Sequence, residues 1–323
     1  MKPPSAAIDA ASAPGSAPGT ATPAATPAAA SAGAVDATRP APAHIRAAFD
    51  RAAASYDAAA QVQRQAVQGL LAQLQSYVQT TAGPVAGPVL DAGSGTGYAL
   101  PLLDAYLTAH ASPSAPHLLA LDAAPAMCQR SQQVLAGGTQ RGASICADLH
   151  ALPLAAGSVG LYWSSLAWQW CHAPTVAAQA LRVLRPGGVL AVATLGPGTL
   201  GELAQAFAAV DAHRHVLRFE NEASLRAALT TAGWVDVRVQ RATLTAHYPN
   251  VRAVLHALKA VGANRVGPGA RTTPLGRAGW ARLEQAYERL RTAQGLPLSY
   301  QVIYLLARAP ASTSDAIPAP TSA

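Results

Sequence analysis

"VLDAGSGTGY", residues 89–98, is a short apolar run that closes on an acid and then on three alternating glycines, Gly93, Gly95 and Gly97. A run of this length with no polar face reads as a strand buried on both sides. The glycines let the backbone turn tightly and let a ligand lie against bare main chain. The dinucleotide fingerprint G-x-G-x-x-G fails, because Tyr98 stands where the third glycine belongs, and the chain has no G-x-x-x-x-G-K-[ST]. What remains is a close-approach loop without a phosphate requirement, which suits a nucleoside ligand.

Outward from this loop, short apolar runs alternate with helical stretches. The strands are expected at 85–91, 117–122, 143–147, 159–165, 188–195, 234–240 and 300–307. Helices near 98–109, 125–136, 174–184, 199–210 and 222–232 separate most of them. This alternation argues for an α/β fold, a parallel sheet with helices on both faces. The last interval departs from it: residues 250–295 hold helices around 250–261 and 277–294 with a Gly/Pro/Arg-rich loop between, a helical insertion over the sheet edge. Upstream, Val62, Ala66, Leu70, Leu74 and Val78 repeat every four residues along one helix face. Ser55 and Asp57, both good N-caps, predict a break between two helices at Tyr56.

Two acids extend the reading of the glycine loop. The second strand ends "LLALDAAP", so Asp122 sits at a carboxyl edge where an acid accepts both hydroxyls of a ribose. The third ends "ICADLHALPL", which puts Asp148 at the same edge, placed for an exocyclic amine such as that of adenine. Either acid singly is better explained as a helix N-cap than as a ligand contact. Glycine turn and acids at three successive strand ends together specify S-adenosylmethionine.

The stretches "LDAGSGTG", "ALD", "ADLHALPL" and "VLRPGGVLAVATLGPGTLGELAQAF" resemble the class I S-adenosylmethionine-dependent methyltransferases. With "AAASYD", "SSLAWQWC", "TLGPGTL" and "LKAVGANRV", the resemblance, from about Arg46 to Arg308, is closest to the malonyl-[acyl-carrier protein] O-methyltransferase family of biotin synthesis. It implies a Rossmann-like, seven-stranded sheet with an antiparallel last strand. For the cofactor it implies Tyr56, as a lid from the N-terminal helices, then Asp91, Gly93, Gly95 and Gly97. It adds Asp122, Ala123, Met127, Asp148, Leu149 and Ser165. For the acceptor it implies Trp168, Gln169, Trp170, Thr194, Leu195 and Gly196. No metal is implied. Two departures stand out: Ser94 replaces a frequent cysteine with similar bulk, and Gly160 stands where the fourth strand commonly begins with aspartate, which weakens that strand's start.

The resemblance also explains "WSSLAWQWCHAP", residues 163–174, which crowds three of the five tryptophans together where a strand gives way to a loop. The fourth strand of this fold ends beside the sulfonium, where bulky aromatics exclude water and face the cation. Trp168 and Trp170 are the pocket candidates, and Trp163, inside the strand, is core. Cys171 and His172 are neighbours in sequence and point apart, so they form no catalytic dyad. A malonyl carboxylate is already ionised at neutral pH and needs no base.

Composition bounds the rest. The charge is +7, carried by arginine apart from Lys2 and Lys259, and no basic run or RNA-binding signature points to nucleic acid. No apolar window is long enough for a membrane span, and the three distant cysteines fit reduced thiols, so a cytoplasmic monomer is expected. Residues 1–42 and 309–323, rich in Ala, Pro, Ser and Thr, read as disordered tails around a domain at 43–308. Residues 251–280 hold Arg252, Lys259, Arg265, Arg271 and Arg277 with no acid, a surface suited to the acidic carrier protein, with contacts expected at Arg252, Lys259 and Arg265. The rivals are a methyltransferase of a free small acid or quinone precursor, and a non-catalytic adenosylmethionine-binding protein.

Overall fold

The computed structural model describes residues 39–81, 85–110, 117–138, 142–263, 266–271 and 273–311. The apolar runs form β1 (Val89–Ala92), β2 (Leu118–Asp122), β3 (Gly142–Cys146), β4 (Val159–Ser165), β5 (Leu184–Leu195), β6 (Val235–Tyr248) and β7 (Leu296–Arg308). Three helices precede them: α1 (Pro42–Ala52), α2 (Tyr56–Ala59) and α3 (Gln61–Thr81). Between the strands lie α4 (Leu100–His110), α5 (Pro125–Ala136), α6 (Ala173–Val183), α7 (Gly201–Ala208), α8 (Glu222–Ala232), α9 (Val251–Ala260) and α10 (Arg277–Glu288). Among the described residues no helix is long and apolar enough to cross a membrane.

The seven strands form one sheet in the order β3-β2-β1-β4-β5-β7-β6. Neighbours from β3 through β5 pair in parallel, and β7 runs antiparallel to both β5 and β6. The chain winds outward from β1 to β3, then returns to β4 on the other side of β1. The carboxyl ends of β1 and β4 therefore border a crevice at the point where the strand order reverses, the usual ligand position in open α/β sheets. Central strands are apolar on both faces because helices cover both; Tyr162 and Trp163, adjacent in β4, pack into opposite layers of the core. Edge strand β6 is largely exposed and carries Asp236, Arg238 and Arg241, charges that discourage edge-to-edge pairing.

Helix α3 buries Val62, Ala66, Leu70, Leu74 and Val78, the face with four-residue spacing. Strands β6 and β7 run longer than their apolar patterns predict, because they pair with each other from Val235↔Arg308 to Tyr248↔Leu296. Four local expectations are corrected. Ser55 caps nothing: its hydroxyl donates to the carbonyls of Ala52 and Ala260, tying the α1–α2 junction to the end of α9. Asp57 likewise turns away from a capping role and accepts from Thr96 Oγ1 at 2.6 Å, fastening α2 to the glycine loop. Gly160 does not weaken the start of β4. The register against β5 shifts between Val159 and Leu161, and a Cβ at 160 would sit 1.8 Å from the Ala86 carbonyl oxygen, so glycine makes a bulge there. Lastly, residues 39–42, read as the end of a tail, belong to the fold, since Arg39 ion-pairs with Glu220 and α1 begins at Pro42. Residues 1–38 and 312–323 lie outside the described residues.

Candidate active site

The crevice begins with Gly93, which has φ +81° and leaves no room for a Cβ, because Ala167 would meet it at 2.3 Å. Gly95 beside it, at φ +53°, faces open space. Its N–H donates to Asp122 Oδ2 at 3.0 Å, and the Ala124 N–H donates to Oδ1 at 2.8 Å. Asp122 thus braces the glycine loop and keeps one lone pair on each oxygen for a ligand. Burial raises its pKa against the lowering pull of those N–H groups.

Asp91, at the end of β1, is fully enclosed. Burial, and then the nearby charge of Asp122, push its carboxyl up to about 8. Its Oδ2 has no hydrogen-bond partner, nor do the hydroxyls of Ser94 and Ser165. Three orphaned polar atoms around one small pocket are costly unless a polar ligand satisfies them. A group with an ammonium fits: it would neutralise Asp91 and supply donors, as the amino-acid end of S-adenosylmethionine does.

At the carboxyl edge beyond β3, Asp148 Oδ1 accepts from the backbone N–H and from Nδ1 of His150, at 2.9 and 2.7 Å. His150 Nε2 accepts the backbone N–H of His172 at 2.9 Å, which assigns the ring proton to Nδ1. The His150 hydrogen bond holds Asp148 below its ordinary pKa, leaving an ionised acceptor for an amine.

Two cavities meet here. A cleft of about 130 Å³ is lined by Gly93, Gly95, Asp122, Ala123, Asp148, Leu149 and Ser165. A larger, mainly apolar cavity of about 680 Å³ extends from Trp170 and Leu195 past Phe207 and Phe219 to Leu255 and Leu258 of α9. Phe49, Tyr56, Leu166 and Trp170 border both. Tyr56 also borders the small pocket with Asp91 and Ser94. Its hydroxyl stays a phenol, because burial and then the charges of Asp122 and Asp57 raise its pKa. Helix α1 is held over the cleft by the Ala126 N–H donating to Asp50 Oδ1 at 3.0 Å, and by Phe49 edge-on to Trp170.

Several expected positions fall elsewhere. Trp168 belongs to the core: it is 1% exposed, and its Nε1 donates to the Tyr162 hydroxyl. The one-turn 3-10 helix Trp168–Trp170 turns the two tryptophans to different sides, so Trp170 alone of this pair reaches the cavities. Met127 is buried beneath α1 with Ala53 and Ala124. A Cβ at Gly97 would meet Leu100 and Ser131, so that glycine serves the packing of the loop. Thr194 is buried, and Gly196 is pinned by its N–H to the Gln301 carbonyl; neither borders the cavities. Gln169 borders the larger cavity, but its amide is turned inward onto Leu166 and Thr194. Cys171 and His172 stay apart: the thiol, pushed up to about 12 by burial, faces the Ala167 carbonyl, and His172 Nδ1 meets Thr175. Of the residues expected at the carrier, Arg252 and Lys259 are exposed on α9, and Arg265 lies outside the described residues.

Sequence reasoning missed Phe49, His150, Arg39, Leu166 and Leu200. His150 carried a faint signal, two residues after Asp148 in the same turn. Leu166 and Leu200 carried none: both have left-handed φ, +55° and +57°, at a cost of about 1–2 kcal/mol for a residue with a Cβ. Both border the larger cavity. Strain of this kind collects where the surroundings must shape a site.

The family model described as "Methyltransferase domain" matches residues 90–192, which contain the glycine loop, Asp91, Asp122 and Asp148. The chain is 44% identical over 271 residues to the malonyl-[acyl-carrier protein] O-methyltransferase of Dechloromonas aromatica, covering 84% of this chain and 96% of that one. It is 37% identical over 263 residues to the biotin biosynthesis bifunctional protein BioHC of Cellvibrio japonicus, covering 81% of this chain and 49% of that one. Among solved structures, the YcgJ protein of Bacillus subtilis shares the fold, with a TM-score of 0.50 at 13% identity over 73% of this chain and 97% of that one. With that level of identity spanning nearly the whole of a relative, this chain belongs to the malonyl-[acyl-carrier protein] O-methyltransferase family.

Proposed function

We propose that the protein transfers a methyl group from S-adenosylmethionine to the free carboxylate of a malonyl thioester on acyl carrier protein, in biotin synthesis. The observation that carries this reading is the junction at Phe49, Tyr56, Leu166 and Trp170. There a cleft lined by Gly93, Gly95, Asp122 and Asp148 meets a larger, mainly apolar cavity, and Tyr56 also borders the pocket that holds Asp91. When bound, S-adenosylmethionine supplies an electrophilic methyl group on a sulfonium. Asp91, Asp122 and Asp148 hold the donor by its ammonium, ribose and adenine, and the glycine loop admits it against bare backbone. Phe49, Tyr56 and Trp170 exclude water around the junction. A carboxylate acceptor is already charged, so no side chain has to remove a proton. This agrees with the raised pKa values of Tyr56 and Cys171, neither of which is a base at neutral pH. Excluding water favours a step in which anion and cation neutralise each other.

The carrier reading draws on α9. Its inner face, Leu255 and Leu258, lines the acceptor cavity while Arg252 and Lys259 are exposed, so positive charge flanks the cavity that would take the acyl arm. An acidic carrier fits such a surface. The same reading has the enzyme working as a cytoplasmic monomer, its cysteines reduced; Cys128, Cys146 and Cys171 are all free. Incubation with methyl-labelled adenosylmethionine and malonyl carrier protein should yield a base-labile methyl ester on the carrier. Label appearing only in free small acids would replace the carrier by a small-molecule acceptor.

A further inference from the structure

Gln169 is 7% exposed, and its polar groups are engaged inside the protein. Nε2 donates to the Leu166 carbonyl at 2.6 Å, Oε1 accepts from Thr194 Oγ1 at 3.4 Å, and the backbone carbonyl accepts from Arg39 Nη1 at 3.0 Å. Leu166, the residue it grips, has φ +55°, and its own N–H donates to the Ala193 carbonyl at 2.8 Å. Leu166 also borders both cavities, between the donor cleft and the acceptor side. A left-handed leucine persists only where its surroundings over-determine it. Here two hydrogen bonds do so, one from β5 and one from the Gln169 amide.

We propose that Gln169 is a positioning residue for methyl transfer: its carboxamide pins Leu166 in the left-handed turn that forms the partition between donor cleft and acceptor cavity. Without that donor the Leu166 carbonyl loses its partner and the turn relaxes toward negative φ. The leucine side chain then swings, and the aperture through which acceptor and methyl must align changes shape. In-line transfer is sensitive to such shifts, so alignment suffers while each ligand keeps its own contacts. The inference rests on reading the large cavity as the acceptor's.

Four proteins test it: the parent, Gln169→Leu, Leu166→Gly and the double variant. Gln169→Leu should lower kcat roughly 10–100-fold, with KM for adenosylmethionine and for malonyl carrier protein changed by less than about threefold. Glycine adopts positive φ freely, so in the Leu166→Gly background the same change should cost less than about threefold in kcat. Melting temperatures should show the same coupling: Gln169→Leu destabilises the parent and hardly affects the Leu166→Gly protein. Equal losses in the two backgrounds, or a KM rise for the thioester in both, would overturn the proposal by placing Gln169 on the substrate. Should Gln169→Leu fail to fold, a folded double variant as active as Leu166→Gly supports it, and a double variant that also fails overturns it. If the parent methylates no malonyl carrier, the acceptor reading falls, and the coupling in melting temperature still decides the role of Gln169.

Discussion

At the scale of single residues, burial in the crevice works against carboxylate charge. Asp91 is the extreme case, a carboxyl with an unpartnered oxygen and a pKa raised from 3.8 to about 8. The sign follows from linkage. The folded protein holds this proton where the unfolded chain has lost it, so Asp91 stabilises the fold most at low pH, and that contribution falls as pH rises from 3.8 through about 8. A ligand ammonium reverses the preference by favouring the ionised form. Adenosylmethionine affinity should therefore rise with pH up to about 8, and binding at pH 7 should release up to about one proton. Calorimetry in two buffers of different ionisation enthalpy measures that release directly. Asp91→Asn should bind more weakly and release none; equal proton release by parent and variant would remove Asp91 from the ammonium's surroundings.

At the scale of elements, glycine and proline placement shapes the strand ends. Gly160 sits in the bulge where β4 passes the segment leading into β1, and its N–H donates to the Pro88 carbonyl at 2.8 Å. A methyl group there would meet the Ala86 carbonyl at 1.8 Å, and that neighbour is backbone, which has no rotamer by which to move aside. Gly160→Ala should cost about 1–3 kcal/mol or more, by overpacking. Urea denaturation reads this as a lower midpoint at unchanged slope; an unchanged midpoint would show that the bulge yields. Helices α5 and α6 start with proline within their first two positions, where the missing N–H costs nothing, so β2 and the Trp168–Trp170 turn both hand over sharply at the sheet's ligand edge.

At the scale of the whole molecule, the net charge of +7 is unevenly committed. In the stretch 251–280, Arg271 ion-pairs with Asp211 at 2.7 Å and donates to the carbonyls of Thr273 and Pro274, stapling the loop beside the larger cavity. Arg252 lies over the Trp280 ring at 4.8 Å and stays exposed with Lys259. Reversing both, Arg252→Glu and Lys259→Glu, should raise KM for malonyl carrier protein. The rise should shrink with added salt, because exposed charges are screened over about 8–10 Å at physiological ionic strength. A malonyl thioester without the protein should be methylated as by the parent, and adenosylmethionine affinity should hold. Equal losses on both acceptors would place these residues in the pocket, and no loss on either would make α9 an ordinary solvated face.

Most of the architecture was legible in the sequence because its causes are local. Apolar runs bounded by turns mark strands wherever they lie in the chain, a four-residue repeat marks the buried face of α3, and an acid at the end of a strand stays there however the sheet is assembled. For that reason Asp122, Asp148 and the glycine loop could be placed at the strand ends without a structure, while Asp91 came from the family resemblance. Tertiary structure decided what depends on partners distant in the chain. Trp168 and Trp170 are equally bulky in sequence, and only packing against Tyr162 on one side and Phe49 on the other separates core from cavity wall. Arg39 sits in a stretch that reads as tail, yet it grips Gln169, 130 positions away, and Glu220, 181 positions away. Arg271 reads as free charge until Asp211 comes beside it. The strain at Leu166 and Leu200 has no signature in composition or period, since any residue's φ is set by the hydrogen bonds its neighbours impose once the sheet and its loops have closed around it.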